Sequence, residues 1–311
     1  MPVSKPFKRL PFVEIPEKPR RPHDFWQHPA KTVAMESSVF GPLSINCHVR
    51  GKGRPLILLH GLMTTSYSFR YLAPFLEDHF SLYIPDLPGA GRSSMPQKPE
   101  YLLSSFAKWL VEFQHTLDIA GCACVGNSMG ALIAMHAALD TPGCFSHLVN
   151  IHSPAFPMLR LHALRAALSL PGSAEFLHKM INMNPLKWAY RNIHYFDESL
   201  KSLEEAHEYG DPLTSREGSM ALFKFLYEAL NPAQMQAFID HLVALKDSGG
   251  AFPVPLTLLY ARQDPMVPPM IGTRLADLVP TAKMIWMENT SHFAHVDTPE
   301  LVSQLVIAAL G

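Results

Sequence analysis

The chain has 311 residues, 48% of them hydrophobic and 17% charged, so it can bury a large core and does not have the composition of a disordered chain. Its 26 Lys+Arg and 27 Asp+Glu give a formal net charge of -1, with no basic excess for nucleic acid and no acidic tail for a basic partner. We expect a soluble, cytoplasmic protein, because no stretch approaches the ~20 apolar residues of a membrane span and prolines interrupt any signal-like N-terminus.

Residues 1–31 are predicted to form a proline-rich N-terminal arm. Seven of the 28 prolines lie in the first 30 residues, which excludes a helix or a central strand and favours an extended segment. Four aromatic side chains could attach it to the body: Phe7, Phe12, Phe25 and Trp26. Two interpretations stay open, a loosely attached tail and an arm that shapes a ligand site or a subunit contact.

From residue 32 onward, strand-like and helix-like segments alternate, which predicts a doubly wound, mostly parallel, eight-stranded α/β sheet. A hairpin comes first, from SSVFG (37–41) and LSINCHVRG (43–51), with its turn at Gly41-Pro42. Further strands are predicted at 55–61, 81–86, 121–125, 147–152, 255–260 and 282–287. Helices are predicted at 67–78, 102–118, 129–139 and 299–310, with one more between the last two strands.

Residues 155–252 interrupt this alternation and contain almost no strand-like run. Helix ends mark the segment, for example Thr214-Ser-Arg-Glu217, which predicts a capping box. We therefore expect a helical cap inserted into a core made of residues 32–154 and 253–311. Such a cap would lie over the carboxyl edge of the strands, where open α/β sheets bind ligands.

The segment GNSMG (126–130) stands between a predicted strand and a wholly apolar helix. This is the setting of a nucleophile elbow, a tight turn that projects a serine hydroxyl from the sheet edge. Gly126 and Gly130 flank the serine two residues away on each side, at positions where a side chain would clash. The first N–H groups of the following helix would stabilise negative charge that develops at the site. Ser128 is the predicted nucleophile. The alternative is a structural turn with an incidental serine.

A serine nucleophile needs a base and an acid that orients the base. The chain has sixteen histidines, so position must select among them. Asp264 and His292 each follow a predicted strand on the edge that carries Ser128, in the chain order expected for this fold. His295 competes with His292, and Asp297 competes with Asp264.

Backbone amides are also needed to stabilise an oxyanion. The His60-Gly61 turn could aim the Leu62 amide at the site, and the Met129 amide directly follows the nucleophile. The alternative for His60-Gly61 is a plain strand-to-helix loop, and we expect His60 itself to be structural.

No metal, nucleotide or flavin signature is present, and we predict no cofactor. GKGRP (51–55) lacks the closing Gly-Lys-Ser/Thr of a phosphate loop. The cysteines form neither a CxxC pair nor a zinc-like cluster, so reduced, structural thiols are expected. They are Cys47, Cys122, Cys124 and Cys144.

Five segments, in order, resemble landmarks of the α/β-hydrolase superfamily, in the branch with a helical cap. The resemblance covers residues 32–154 and 253–311, whereas the cap matches only in its place and its helical character. Two positions depart from the pattern: Ser291 stands where glycine usually precedes the histidine, and Asp297 where glutamate is frequent. The segments are HGLM (60–63), DLPGAGRS (86–93), GNSMG (126–130), RQDPMVP (262–268) and SHFAHVDTPE (291–300).

The resemblance implies a serine hydrolase that cleaves small, apolar carboxylic esters through an acyl-enzyme. Ser128 argues against the haloalkane dehalogenases and epoxide hydrolases of this branch, which use an aspartate at the elbow. Carbon–carbon bond hydrolases of ring-cleavage pathways are the alternative enzyme, since GNSMG is similar to their elbow. They usually have a glycine-rich oxyanion loop and a tryptophan after the histidine, where this chain has Leu62-Met63-Thr64 and Phe293.

A third hypothesis is a ligand receptor that keeps this fold and turns over slowly. The sequence predicts neither the physiological substrate nor the oligomeric state.

Overall fold

The structure, a computed structural model, describes residues 6–97 and 100–311, so Pro2 of the predicted arm lies outside the described residues. Eight strands form the sheet of the described chain. They are β1 (Lys31–Ser37), β2 (Gly41–Arg50), β3 (Arg54–Leu59), β4 (Phe80–Pro85), β5 (Ala123–Asn127), β6 (Leu148–Ile151), β7 (Leu256–Ala261) and β8 (Lys283–Met287).

The strand order is β1-β2-β4-β3-β5-β6-β7-β8. β2 pairs antiparallel with both β1 and β4, and every other pairing is parallel. The central strands β5, β6 and β7 are buried along their whole length, as expected for parallel strands covered on both faces. The predicted mostly parallel, eight-stranded sheet is therefore confirmed.

Helices cover both faces of this sheet. Those of the core are α1 (Ala73–Leu76), α2 (Leu103–Thr116), α3 (Met129–Asp140), α10 (Pro269–Leu278), α11 (Ala294–Asp297) and α12 (Pro299–Leu310). The helices α2, α3 and α10 contribute to the larger hydrophobic core on one face, and α1 and α12 contribute to the core on the other.

Between β6 and β7 the chain forms six α-helices and, over residues 155–252, no strand. Helix α7 is joined to the core by two carboxylates: Glu205 lies 2.5 Å from the buried guanidinium of Arg70, and Glu208 pairs with Arg92. The six helices are α4 (Leu159–Leu168), α5 (Ser173–Met183), α6 (Pro185–Asn192), α7 (Leu203–Gly210), α8 (Arg216–Lys224) and α9 (Pro232–Asp247).

The predicted hairpin is present, but the prediction of its turn at Gly41-Pro42 is wrong. The turn covers residues 38–40, and Gly41 is already the first residue of β2. The hydroxyl of Ser37 accepts hydrogen bonds from the amides of Val39 and Phe40, which makes a local turn where a strand was expected.

Two helix predictions also need correction. In place of one helix over 67–78, a 3-10 turn at Ser66–Phe69 precedes the short α1, which has a proline in its first turn. At the start of α8 the capping residue is Ser215, whose hydroxyl accepts from the Gly218 amide at 2.9 Å; Thr214 belongs to the preceding turn.

The described part of the N-terminal arm packs firmly against both the core and the inserted helices. Phe25 is buried, and the Asp24 carboxylate accepts two hydrogen bonds from Arg50 at 2.9 and 2.8 Å. The Leu203 amide, at the start of α7, donates to Pro16 O at 2.8 Å. The interpretation as a loose tail is therefore wrong for the residues from 6 onward.

The four cysteines are buried and unpaired, which agrees with the prediction of free thiols. Among the described residues, no helix combines the length and the hydrophobicity that crossing a bilayer requires.

Candidate active site

Ser128 occupies a sharp turn between the end of β5 and the start of α3. Its backbone has φ 54° and ψ -119°, a conformation in which a residue with a side chain is strained by about 1–3 kcal/mol. Such strain persists only where the surroundings hold it, and it is concentrated at functional sites. The turn has the geometry that a nucleophile elbow requires.

The two flanking glycines are required by close backbone contacts. A Cβ atom on Gly126 would lie 2.5 Å from the Cα of Ala131, and one on Gly130 would lie 2.3 Å from Leu59 O. No side chain can be placed at such distances without moving the backbone. The glycines therefore let β5, α3 and the end of β3 converge beneath Ser128.

His292 and Asp264 form a buried hydrogen-bonded pair. His292 Nδ1 lies 2.7 Å from Asp264 Oδ2, and Asp264 Oδ1 accepts from the amides of Met266 (2.6 Å) and Val267 (2.8 Å). Burial alone would raise the pKa of Asp264, but His292 and the backbone donors outweigh it, so this pKa lies below its ordinary value. Asp264 is therefore ionised at neutral pH and orients the imidazole of His292.

Asn127 ties the histidine loop to the elbow. Its side-chain Nδ2 donates to His292 O at 3.0 Å and to Ile151 O at 3.3 Å. Its position directly before Ser128 thus connects the loop of the base to the turn of the nucleophile. Sequence reasoning missed this role, and the only available signal was a polar residue inside an otherwise apolar strand end.

The two competing residues are placed elsewhere. His295 is fully buried against Phe69, with ring centroids 4.8 Å apart, and neither ring nitrogen has a hydrogen-bond partner in the described chain. Burial and, to a smaller extent, Arg70 hold the pKa of His295 well below its ordinary value, so this ring is neutral.

Asp297 is bound to backbone. One carboxylate oxygen accepts from the Phe196 amide at 2.9 Å and the other from the Ser291 amide at 2.8 Å, and burial raises the pKa of Asp297 to about 7. Asp297 therefore joins the histidine loop to the inserted helical segment and does not contact His292 Nδ1.

The proposed oxyanion donors lie beside the serine. Met129 is the first residue of α3, so its N–H has no acceptor within the helix. The loop that carries Leu62 also approaches closely, because a Cβ on Gly61 would lie only 3.0 Å from Ser128 Cβ. In residues 6–97 and 100–311, the Leu62 amide has no hydrogen-bond acceptor.

A pocket with an empty volume of about 620 Å³ opens above these groups. Ser128 and His292 line it, and most of the other lining residues are apolar. The segment between β6 and β7 contributes the apolar residues Met158, Leu161, Ile193 and Leu230 and the polar residues Arg160 and Asn192.

No hydrogen bond joins Ser128 Oγ to His292 in the described part of the chain. Both side chains nonetheless line the same pocket. In enzymes without bound substrate such catalytic hydrogen bonds are often long or poorly aligned, and they tighten when the substrate binds.

A second pocket, of about 430 Å³, adjoins the first one. The two share Leu62 and Met63 as lining residues, and the second extends between the 89–91 loop and α8. Met63 has a backbone φ of 62°, an uncommon value for a residue with a side chain. Leu62 and Met63 therefore form the partition between two adjoining spaces.

His152 is a second buried imidazole near the pair, which the sequence analysis did not identify. Its ring centroid lies 5.7 Å from that of His292, and its Nε2 accepts the amide hydrogen of Ala261. Burial lowers the pKa of His152 to about 3, so the ring is neutral above that pH. The signal that was available is its position directly after β6, at the carboxyl edge of the sheet.

His152, Asp264 and His292 offer three possible metal-ligand atoms within 4.8 Å of one another. Two of these side chains are joined by the 2.7 Å hydrogen bond, and Nε2 of His152 is held by the Ala261 amide. Nδ1 of His152 has no hydrogen-bond partner in the described residues. The bond between His292 and Asp264 is the one expected of an orienting pair.

His60 has the structural role expected for it. Its Nδ1 donates to Gly61 O at 2.8 Å, and its Nε2 accepts from the Leu87 amide at 2.9 Å. This arrangement requires a neutral ring, in agreement with the burial that lowers the pKa of His60. His60 thereby fixes the turn that leads to Leu62.

Comparison with known proteins places the chain in a family. Residues 54–299 match the model of the alpha/beta hydrolase fold. The chain is similar to the uncharacterized hydrolase YugF of Bacillus subtilis (strain 168), with 25% identity over 83% of this chain and 90% of that protein.

Two further relatives have different named activities. One is the 2-hydroxymuconate semialdehyde hydrolase of Pseudomonas sp. (strain CF600), 24% identical over 84% of this chain and 88% of its own. The other is the pimeloyl-[acyl-carrier protein] methyl ester esterase of Vibrio cholerae serotype O1, 25% identical over 85% of this chain and 97% of its own.

The fold is similar to that of a thermophilic esterase from Thermogutta terrifontis. The TM-score is 0.73 at 19% identity, and the match covers 90% of this chain and 98% of the esterase. At this identity the likeness speaks for the fold alone.

Proposed function

We propose that this chain, which belongs to the α/β-hydrolase family, is a serine hydrolase that cleaves carboxylic esters. The observation that carries the proposal is the shared pocket. The strained elbow residue Ser128 and the Asp264-oriented His292 line one cavity, with the Leu62 and Met129 amides beside the serine. Nucleophile, base, orienting acid and oxyanion donors are thus supplied by residues that lie together.

The first half of the reaction transfers the acyl group to the enzyme. Ser128 Oγ attacks the carbonyl carbon while its proton passes to His292 Nε2. The carbonyl oxygen takes up the negative charge and is stabilised by the Leu62 and Met129 amides. When the tetrahedral intermediate collapses, the bond between the former carbonyl carbon and the alkoxy oxygen breaks, and the leaving alkoxide receives the proton from His292.

The second half releases the acid. A water molecule attacks the acyl-enzyme carbonyl and gives a proton to His292 Nε2. The bond to Ser128 Oγ then breaks, and the serine recovers the proton. Throughout, ionised Asp264 keeps His292 in the tautomer that has its free lone pair on Nε2.

We further propose that residues 155–252 act as a cap over a core formed by 32–154 and 253–311. Its residues Leu161 and Ile193 supply part of the apolar pocket wall. Such a wall favours small esters with apolar acyl or alcohol groups, because burying an unpaired charge is costly. No cofactor is required for this chemistry. A location in the cytoplasm stays a prediction from the sequence.

A carbon–carbon bond hydrolase is the second candidate. It is favoured by the relative named 2-hydroxymuconate semialdehyde hydrolase. The loop Leu62-Met63-Thr64 and Phe293 differ from the glycine-rich loop and the tryptophan usual in that group, so ester cleavage is the function we favour. The slow-turnover ligand receptor is the least favoured, because the arrangement of Ser128, His292 and Asp264 supports turnover.

An ester chain-length series together with a fluorophosphonate label tests the proposal. We expect turnover of apolar esters and labelling of Ser128, located by peptide mapping. Release of product from a dienol–keto acid, with no turnover of any ester, would support the carbon–carbon bond hydrolase. High-affinity binding with negligible turnover of both would support the receptor.

A further inference from the structure

The outward face of helix α5 carries an apolar stripe. Phe176, Met180 and Met183 are 65%, 38% and 85% exposed, and their spacing of four and three residues places them on one side of the helix. About 100° around the helix, on the neighbouring side, Leu177 and Ile181 are buried in a hydrophobic cluster. The helix therefore has two adjacent apolar sides, of which only one is covered in the described structure.

This stripe belongs to a larger concentration of exposed apolar side chains. Eleven large hydrophobic residues are exposed in the described chain, and five of them lie in the 25 residues from 159 to 183. Single exposed apolar residues are ordinary, whereas several of them on one side of a helix mark an interaction surface. We call the five residues the α4–α5 patch: Phe176, Met180 and Met183 form the stripe on α5, and Leu159 and Leu170 lie at the start of α4 and just beyond its end.

The segment around the patch is strongly basic. Residues 158–192 contain five Lys or Arg and one acidic residue, a formal charge of +4 in a chain whose total is -1. Arg160, Lys179 and Arg191 are exposed, and none of them forms an ion pair in the described structure. The acidic residue, Glu175, is already paired with Arg216.

One member of the patch, Leu159, lies directly beside the active-site pocket. Met158, Arg160 and Leu161, at the beginning of α4, line the pocket that contains Ser128. Leu159, between them, is 86% exposed and belongs to the patch. A surface on which the patch docked would therefore face the wall of the pocket.

We propose that the α4–α5 patch docks on an anionic lipid surface. Apolar side chains on one face together with basic residues are the features of helices that lie in the interface of a membrane. The apolar group would enter the boundary between headgroups and acyl chains, and the unpaired basic side chains would contact anionic headgroups. A second copy of the chain fits less well, because two segments of charge +4 would repel each other.

Docking of this kind places the pocket wall against the lipid. An apolar substrate could then pass from the lipid to Ser128 without crossing water. Vesicle binding does not depend on the proposed ester hydrolysis. A protein that does not bind vesicles is therefore distinguishable from one that does not cleave esters.

Flotation of the full chain with vesicles tests the proposal. We expect binding to vesicles of phosphatidylglycerol and phosphatidylcholine, weaker binding to phosphatidylcholine alone, and a loss of binding as salt is raised. The triple variant Phe176→Ser/Met180→Ser/Met183→Ser should bind the anionic vesicles at least tenfold more weakly. Lys179→Glu/Arg191→Glu should weaken binding to anionic vesicles only.

A matched control uses exposed apolar residues from another part of the surface. Val243→Ser/Met270→Ser/Leu301→Ser removes side chains that are 37%, 62% and 37% exposed, and it should bind vesicles like the wild type. Circular dichroism checks folding, and Met183→Ser alone, at the most exposed position of the stripe, replaces the triple variant if that variant does not fold.

Three results would overturn the proposal. One is no binding to anionic vesicles, and another is equal weakening by the control triple variant. The third is a wild-type dimer in sedimentation that the stripe variant abolishes while vesicle binding is unchanged, which would make the patch a subunit contact.

Discussion

His292 Nδ1 donates to Asp264 Oδ2 over 2.7 Å, and both side chains are almost completely buried. The residues are 28 positions apart and follow different strands, β8 and β7. Their contact fixes the tautomer of the imidazole, so Nε2 is left free to accept a proton. The proposed activity depends on this pair as much as on Ser128.

Asp264→Asn should lower kcat by about 10⁴-fold, because the amide can hold the ring in the wrong tautomer while leaving its position unchanged. Steady-state kinetics with an apolar ester measures the loss. Asp297→Asn is the matched control, since Asp297 contacts the Phe196 and Ser291 amides and not the ring of His292. Equal losses in the two variants would contradict the assignment of Asp264.

Alanine variants of the two histidines in the last loop should differ clearly in activity. His292→Ala should fall to near background, whereas His295→Ala should keep at least a few per cent of activity per folded molecule. A base must come within ~2.6–3.2 Å of the serine oxygen, and His295 is instead packed against Phe69. Thermal melts show how much His295→Ala is destabilised. A reversed order of the two activities would mean that His295 is the base.

Much of this site was predictable because its parts are local. The strand, the glycine pair and the apolar helix around Ser128 are adjacent in sequence, and Asp264 and His292 each follow an apolar strand. Asn127 and His152 were missed because their roles depend on partners that are distant in the chain, His292 O and the Ala261 amide. Periodicity contains no information about such contacts.

The errors in the fold have a similar origin. The turn at residues 38–40 is set by hydrogen bonds to the Ser37 hydroxyl, which competes with strand pairing in an otherwise strand-like segment. The attachment of the arm rests on long-range pairs such as Asp24 with Arg50. Proline content predicts an extended segment, but it does not say what that segment contacts.

Buried His152 should make the protein sensitive to acid. Its pKa is about 3 in the folded chain and 6.5 ordinarily, so between these values the unfolded chain binds more protons. The contribution of neutral His152 to the free energy of unfolding is therefore fully present above pH 6.5. It decreases as the pH falls towards 3, by about 1.4 kcal/mol per pH unit. Urea unfolding between pH 7 and pH 5 should show a smaller loss for His152→Gln than for the wild type. If the free energy of unfolding falls equally with pH in both proteins, His152 does not contribute to the acid sensitivity.

The partition between the two pockets should set the chain-length preference. Each CH₂ buried against the apolar wall is worth ~0.8 kcal/mol, so kcat/KM should rise up to about fourfold per methylene until the first pocket is full. Met63→Ala should open the second pocket and move the optimum to longer chains, whereas Met63→Leu, of similar volume, should not. An ester series measures both. An unchanged optimum in Met63→Ala would show that the second pocket does not receive substrate.

The central claim is that Ser128 is the nucleophile, and the most direct measurement is peptide mapping of the protein after fluorophosphonate labelling, beside the ester activity of Ser128→Ala. We expect the label on Ser128 alone, and in the variant no labelling and a loss of activity on the order of 10⁶-fold, with the circular dichroism spectrum unchanged. A label on any other serine, or a folded Ser128→Ala protein that still cleaves esters at the wild-type rate, would contradict the account.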